Sequence, residues 1–220
     1  MSIAQQIDRA LMVLIAAVLV AAVVIAYVSP SYFSLVFAAE DRMVENGTAL
    51  GLFISSIVLA RNAVSLTSSG RKGAAVMMLI YALMFFMASG EEISWGQRIF
   101  GWESGEFFVE NNKQTETNLH NLMVGDFHLA KTLFGPVLTI CILLYLVVLP
   151  LLYTRSQRIA ALVDRLVIPV PWLRHGIIAL VASVIIGLMD VNRRWEVYEL
   201  IFALLTISIF LLPQNKSKIS

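Results

Sequence analysis

The sequence predicts an all-α, polytopic membrane protein with about six transmembrane helices and a long outer-face loop between the third and fourth. Three observations predict it. The 220 residues are 59% hydrophobic and only 14% charged, whereas a soluble domain is about 25% charged. The apolar residues gather in runs of roughly 18 to 25 positions, the length that crosses a bilayer core. Short polar segments separate these runs, so each reads as a helix that satisfies its own backbone in lipid. Residues 1–220 are expected to form a single integral-membrane domain, with 90–128 as a cap or re-entrant segment on the outer face.

The first run, Ala10–Val28, exceeds a signal-peptide core and no small-x-small cleavage site follows, so it reads as a retained span. Pro30–Asn46 mixes aromatic residues with a closing acidic patch and predicts a short amphipathic helix in the interface. Gly47–Leu66 and Gly73–Ser89 are the second and third spans; Arg61 lies near a helix end, where it can snorkel. Gly90–His128 is 39 residues long, punctuated by glycine and rich in aromatic residues, which argues against disorder. Leu129–Tyr153 is the fourth span, with Asp126 as its N-cap and Cys141 as a buried, inert thiol. Ser156–Ile168 reads as an amphipathic helix on the inner surface, and Leu173–Met189 and Val197–Leu212 complete the six.

Orientation follows from the basic residues of the loops. With the N-terminus inside, ten Lys and Arg fall on the inner side and six on the outer, which places both termini in the cytoplasm. The acids segregate further. Asp8 and Asp164 are inside, and the other thirteen of fifteen are outside, together with His120 and His128. Acids contribute little to topology, so insertion does not require this bias. The residues able to do acid–base or metal chemistry therefore converge on one face. A net charge of +1 argues against a nucleic-acid partner.

Four stretches carry the candidate site. In GEEISWGQRIFG (Gly90–Gly101), continuing the third span as a helix predicts one polar stripe of Glu91, Ser94, Trp95 and Arg98, with Glu92 turned about 100° away. A poorly solvated Glu91 or Glu92 suits a general base. In TETNLHNLMVGDFH (Thr115–His128), Glu116 and His120 fall on one face if the segment is helical. His120 and His128, with Glu91, are candidate ligands of a divalent metal if a bend at Gly125 brings them together, although the spacing matches no established zinc signature. Asn118 and Asn121 are placed to orient His120 or bind a headgroup. In DVNRRWEVYE (Asp190–Glu199), Arg193 and Arg194 suit phosphate, and Asp190, Glu196 and Glu199 support the site. In AEDRMVENGT (Ala39–Thr48), Asp41 and Glu45 are i, i+4 neighbours.

EDRMVENGTA, GEEISWGQRIFGWES and ETNLHNL together resemble an uncharacterised family of small bacterial multi-pass membrane proteins that carry an EEISWGQR segment followed by NLHN. The resemblance covers the middle third of the chain. It implies the bacterial inner membrane as location and Glu40, Asp41, Glu45, Glu91, Glu92, Trp95, Gln97, Arg98, Asn118, His120 and Asn121 as matching positions, without an activity. Two functions stay open. One is a hydrolase or transferase acting on a lipid or lipid-linked substrate, with Glu91, Glu92 and His120 as catalytic groups and Trp95, Gln97, Arg98, Asn118, Asn121, Arg193 and Arg194 as substrate contacts. The other is a non-catalytic subunit, sensor or transporter component, with a membrane-protein partner or as a homo-oligomer, whose polar cluster is structural.

Overall fold

Apolar runs bounded by glycine, proline and charge fold here as helices. A computed structural model describes residues 1–119, 121–124, 127–128 and 136–219. Helices α1 (Ile3–Val28), α2 (Met43–Ser68) and α3 (Lys72–Glu92) are long and apolar enough to cross a membrane. A short α4 (Glu106–Asn111) follows in the loop. Helix α5 is assembled from Pro136–Leu143, a π-helical turn Leu144–Val148 and Leu149–Arg155. It bends by 119° into α6 (Gln157–Arg165), and the bent pair is the fourth candidate span. Helices α7 (Leu173–Gly187) and α8 (Arg194–Leu211) complete the bundle. The only described strands are a two-residue pair, Met123–Val124 against Phe127–His128.

Among the described residues three helices, or four with the bent pair, meet the length and composition of a span, where the sequence predicts six. The shortfall has physical causes. Helix α7 is apolar but stops after 15 residues. Helix α8 carries Arg194, Glu196 and Glu199 in its first two turns. Residues 129–135 of the predicted fourth span, and its predicted N-cap Asp126, lie outside the described residues. Cys141 is exposed on α5 rather than buried.

The amphipathic segments fold close to expectation. Pro30–Tyr32 and Phe33–Phe37 form a short helical turn that buries Phe33 and Phe37. Helix α6 is capped by Ser156, whose hydroxyl accepts from the Ile159 amide at 3.4 Å.

Helix α8 forms the centre. Its residues Ala203–Phe210 are all buried, and α1, α2 and α7 pack around it. Without a hydrophobic drive between helices in lipid, close backbone approach and buried hydroxyls hold such a bundle. A Cβ on Gly51 of α2 would stand 2.9 Å from Ala203 Cβ, so only glycine fits there. Ser55 Oγ and Thr206 Oγ1 are 2.9 Å apart, and Ser56 and Ser89 donate to the carbonyls of Ala82 and Ala49 at 2.8 and 2.7 Å. The π-helical turn in α5 has its own cause. Pro150 lacks the N–H that would bond the Leu146 carbonyl one turn back. Gly176 of α7 packs at that carbonyl, 2.5 Å from where its Cβ would be.

At the end of the bundle that carries both chain termini, Asp8 links three helices. It accepts from Arg174 at 2.8 Å and from Ser208 Oγ at 2.5 Å. His175 Nδ1 accepts from the Trp172 amide at 3.1 Å, so Nε2 carries the proton and donates to Ser208 Oγ at 3.0 Å. The proton order runs from His175 through Ser208 to Asp8. The histidine therefore does not act as a base toward the serine. Asp8, His175 and Ser208 are all buried. Asp8→Ala strands two of these donors and is expected to cost about 2 kcal/mol, read as an earlier thermal transition in detergent. An unchanged transition would show that the knot contributes nothing.

Candidate functional site

The opposite end of the bundle gathers candidate residues from each of the four stretches. Helix α3 ends at Glu92. Ser94, Trp95 and Gly96 then adopt left-handed backbone, with φ of 46°, 56° and 78°. The predicted helical stripe of Glu91, Ser94, Trp95 and Arg98 therefore does not form. The chain turns back on itself instead, and the Trp95 indole N–H donates to Glu91 Oε1 at 2.9 Å. Gly90 makes this possible, since a Cβ there would lie 2.8 Å from the Trp95 ring. The second Glu91 oxygen accepts from the Leu119 amide at 2.5 Å. Glu91 thus bonds the end of α3 to the returning loop.

Arg98 forms the second tie. Its guanidinium pairs with Asp41, just before α2, and with Glu116 in the loop. Glu116 is 6% exposed, and three groups share it. Besides Arg98, Ser94 Oγ donates to it at 2.5 Å and Asn118 Nδ2 at 3.0 Å. Asn118 also donates to Ser94 Oγ at 2.8 Å, and its Oδ1 accepts from Asn112 Nδ2 at 2.9 Å and from the Asn121 amide at 3.0 Å. Gln97 Oε1 accepts from the Thr117 amide at 2.9 Å and from Ser104 at 3.0 Å. Asn121 donates to Gln114, which donates to Glu40, which also pairs with Arg193 at 3.0 Å. These bonds lace residues 94–121 onto the starts of α2 and α8.

Under this lacing lies a cavity of about 60 Å³, room for very few water molecules. Of its thirteen described lining residues, eight are Asp or Glu and one, Arg98, is basic. Asp41 and Glu116 are committed to Arg98, Glu40 to Arg193, and Glu91 to Trp95 and Leu119. Glu45 accepts from the Asp41 amide. The side chains of Glu92, Glu196 and Glu199 accept no hydrogen bond among the described residues, and they face one another and Glu45 across the cavity. Like carboxylates crowded in a poorly solvated space do not all ionise together.

Glu196 precedes the apolar stretch of α8. Burial pushes its carboxyl up from the usual carboxylate range; the Arg193 guanidinium works against that shift, and Glu40 adds to it. Backbone strain collects at the same end. Five non-glycine residues with left-handed backbone, Asp41, Ser94, Trp95, Thr115 and Arg193, frame the site. Such conformations cost of order 1 kcal/mol or more each and persist where surrounding contacts enforce them.

The structure brings Glu91, Glu92, Trp95, Gln97, Arg98, Asn118, Asn121, Asp41, Glu45, Glu196 and Glu199 together, as the sequence expects. It separates others. Arg194 donates to the Met189 carbonyl at 2.5 Å and stacks over Trp195. With the exposed Asp190 and Arg193, it lines a different groove against Pro30–Leu35. Glu116 lies in a run of turns rather than a helix, so no i, i+4 face with His120 forms. His120 and the side chain of His128 lie outside the described residues. Among the described residues no three His, Cys, Asp or Glu side chains are disposed to hold a metal ion. The predicted metal ligand Glu91 has both oxygens engaged by the protein. Asn112 and Gln114 are site residues that the sequence reading missed. They are uncharged, and no spacing rule connects them to Asn118 or Glu40. No protein-family model matches this chain, and neither a curated protein nor a solved structure does.

Two outcomes follow from this geometry. Arg98→Ala leaves Glu116 buried and uncompensated, which is expected to cost about 3 kcal/mol; a variant melting within a degree of wild type would contradict the tie. For pH, a carboxyl with a raised folded pKa stabilises most below the unfolded value, about 4.3, and loses that contribution as pH rises through its folded value. The melting temperature should therefore fall from about pH 4.5 upward, and Glu196→Gln should flatten the slope. An identical slope in the variant would remove Glu196 from the set of titrating groups.

Proposed function

We propose that this protein is a multi-pass enzyme of the bacterial inner membrane, a hydrolase or transferase that acts on a lipid or lipid-linked substrate at the outer leaflet. In this reading six apolar stretches cross the bilayer and both termini are cytoplasmic. Glu92, backed by Glu45, Glu196 and Glu199, holds the working proton. One carboxylic acid of the set protonates a leaving oxygen, and an ionised neighbour takes a proton from water or an acceptor hydroxyl.

The observation that carries the proposal is the segment 89–95, whose residues divide between two spaces. An apolar groove of about 410 Å³ is lined by Leu50, Phe53, Phe86, Ile93, Trp95 and Ile99. Glu91, Glu92 and Ser94 of the same segment line the carboxylate cavity. An acyl or isoprenoid chain lying in the groove would present its headgroup linkage beside Glu92.

The bonds around Arg98 favour a second reading. They are closed and complete, as in a clasp that holds a partner-binding surface. The two readings separate on reconstitution with a total bacterial lipid extract. Wild type, Glu92→Gln and Arg98→Ala are compared by lipid mass spectrometry and by thermal melting. The enzyme reading expects lipid conversion that falls by about 100-fold or more in Glu92→Gln, while that variant melts at or above the wild-type temperature. No converted lipid with wild-type protein, and early melting as the only effect of Arg98→Ala, would leave the clasp as the whole function.

A further inference from the structure

A second cleft lies at the far end of the bundle from the carboxylates. It is bounded by the first turns of α1, the start of α7 and residues 212–216 after α8, and it measures about 880 Å³, within the size range of ligand pockets. Its walls are of two kinds. Leu173, Leu212, Pro213 and the half-exposed Trp172 ring are apolar, and the ring is fixed by its Nε1–H donating to the Leu212 carbonyl at 2.8 Å. Arg9, Arg174 and Lys216 are basic, and among the described residues Asp8 is the only acidic side chain lining the cleft.

Asp8 does not neutralise this surface. It is 4% exposed and turned into the bundle, where Ser208 and Arg174 bind it. That contact uses one terminal nitrogen of Arg174. The guanidinium has five donors, and the side chain is 45% exposed where it lines the cleft. Asp8 thus holds the guanidinium in place and leaves donors for a ligand. The three bases also sit beside apolar helices and line one cleft. Arg9 immediately precedes the apolar stretch Ala10–Val28, Arg174 is the second residue of α7, and Lys216 follows α8 by five residues. Guanidinium groups bind phosphate through paired hydrogen bonds.

We propose that this cleft binds an anionic phospholipid, with the phosphate on Arg9, Arg174 and Lys216 and the upper acyl chain along Trp172, Leu173 and Leu212. The ligand belongs to the leaflet on the side of the chain termini. The inference rests on the apolar helices crossing a membrane and is independent of the chemistry at the opposite end. Occupation would bridge α1, α7 and the segment after α8, the elements that the Asp8 knot already joins.

The test uses full-length protein in neutral detergent, titrated with phosphatidylglycerol, with phosphatidylcholine and with inorganic phosphate. Readouts are the melting temperature and the lipid retained in native mass spectrometry. Phosphatidylglycerol should raise the melting temperature and be retained over phosphatidylcholine. Arg9→Gln and Lys216→Gln leave the Asp8–Arg174 pair intact, and each should weaken the phosphatidylglycerol effect about fivefold. Arg9→Gln should do so without lowering the lipid-free melting temperature, whereas Lys216→Gln also removes the bond from the Lys216 ammonium to the Leu211 carbonyl. Equal shifts with both lipids, an undiminished shift in the double variant, or inorganic phosphate reproducing the full shift would each overturn the assignment.

Discussion

A carboxylate sealed from water needs a partner, and Glu116 is where this constraint organises the loop end of the molecule. It is buried among Arg98, Ser94 and Asn118. The loss of hydration on burying a charge is large, and only a well-placed opposite charge with further donors offsets it. Once Glu116 is met by Arg98, the rest follows. Arg98 reaches Asp41 at the start of α2, the turn at Ser94–Gly96 has to be left-handed to deliver it, and the loop from 112 to 121 is drawn over the ends of α2, α3 and α8. The strained backbone at the site is held by these bonds.

The same constraint explains why the remaining carboxylates stand out. The donors that reach carboxylates here reach Glu116, Asp41, Glu40, Glu45 or Glu91. Glu92, Glu196 and Glu199 accept no hydrogen bond among the described residues and share a space too small for much water. The molecule thus divides its acids into those that build the site and those that build none of its described hydrogen bonds. That division is the basis for assigning acid–base work to Glu92, and it places Glu91 among the structural acids, although the two are adjacent in sequence.

Away from the polar ends, the helices are held by small residues and hydroxyls. Gly51 against Ala203, Ser55 with Thr206, and Gly176 at the Leu146 carbonyl fix the approach of neighbouring helices to α8 and α5. This frame is stiff where it carries the site: α2, α3 and α8 each contribute a carboxylate to the cavity, and their packing sets the distances between them. At the other end, the Asp8 knot fixes α1 and α7 to α8 beside a basic cleft.

Much was legible in one dimension. Runs of apolar residues mark the helices, because lipid forces a backbone to satisfy itself locally, and α1, α2 and α3 follow that reading within a few residues. The one-sided gathering of acids also shows in the sequence, as does the identity of most of the residues that meet. What only the tertiary structure decided is which acid has a partner. A helical period put Glu91, Ser94, Trp95 and Arg98 on one stripe, but the left-handed turn at Ser94 and Trp95 kept Glu91 with Trp95 and gave Arg98 to Glu116. Periodicity describes neighbours along a helix. It carries no information about a chain that leaves the helix, nor about which of two adjacent glutamates faces donors 20 to 30 residues away, because those distances are set by packing.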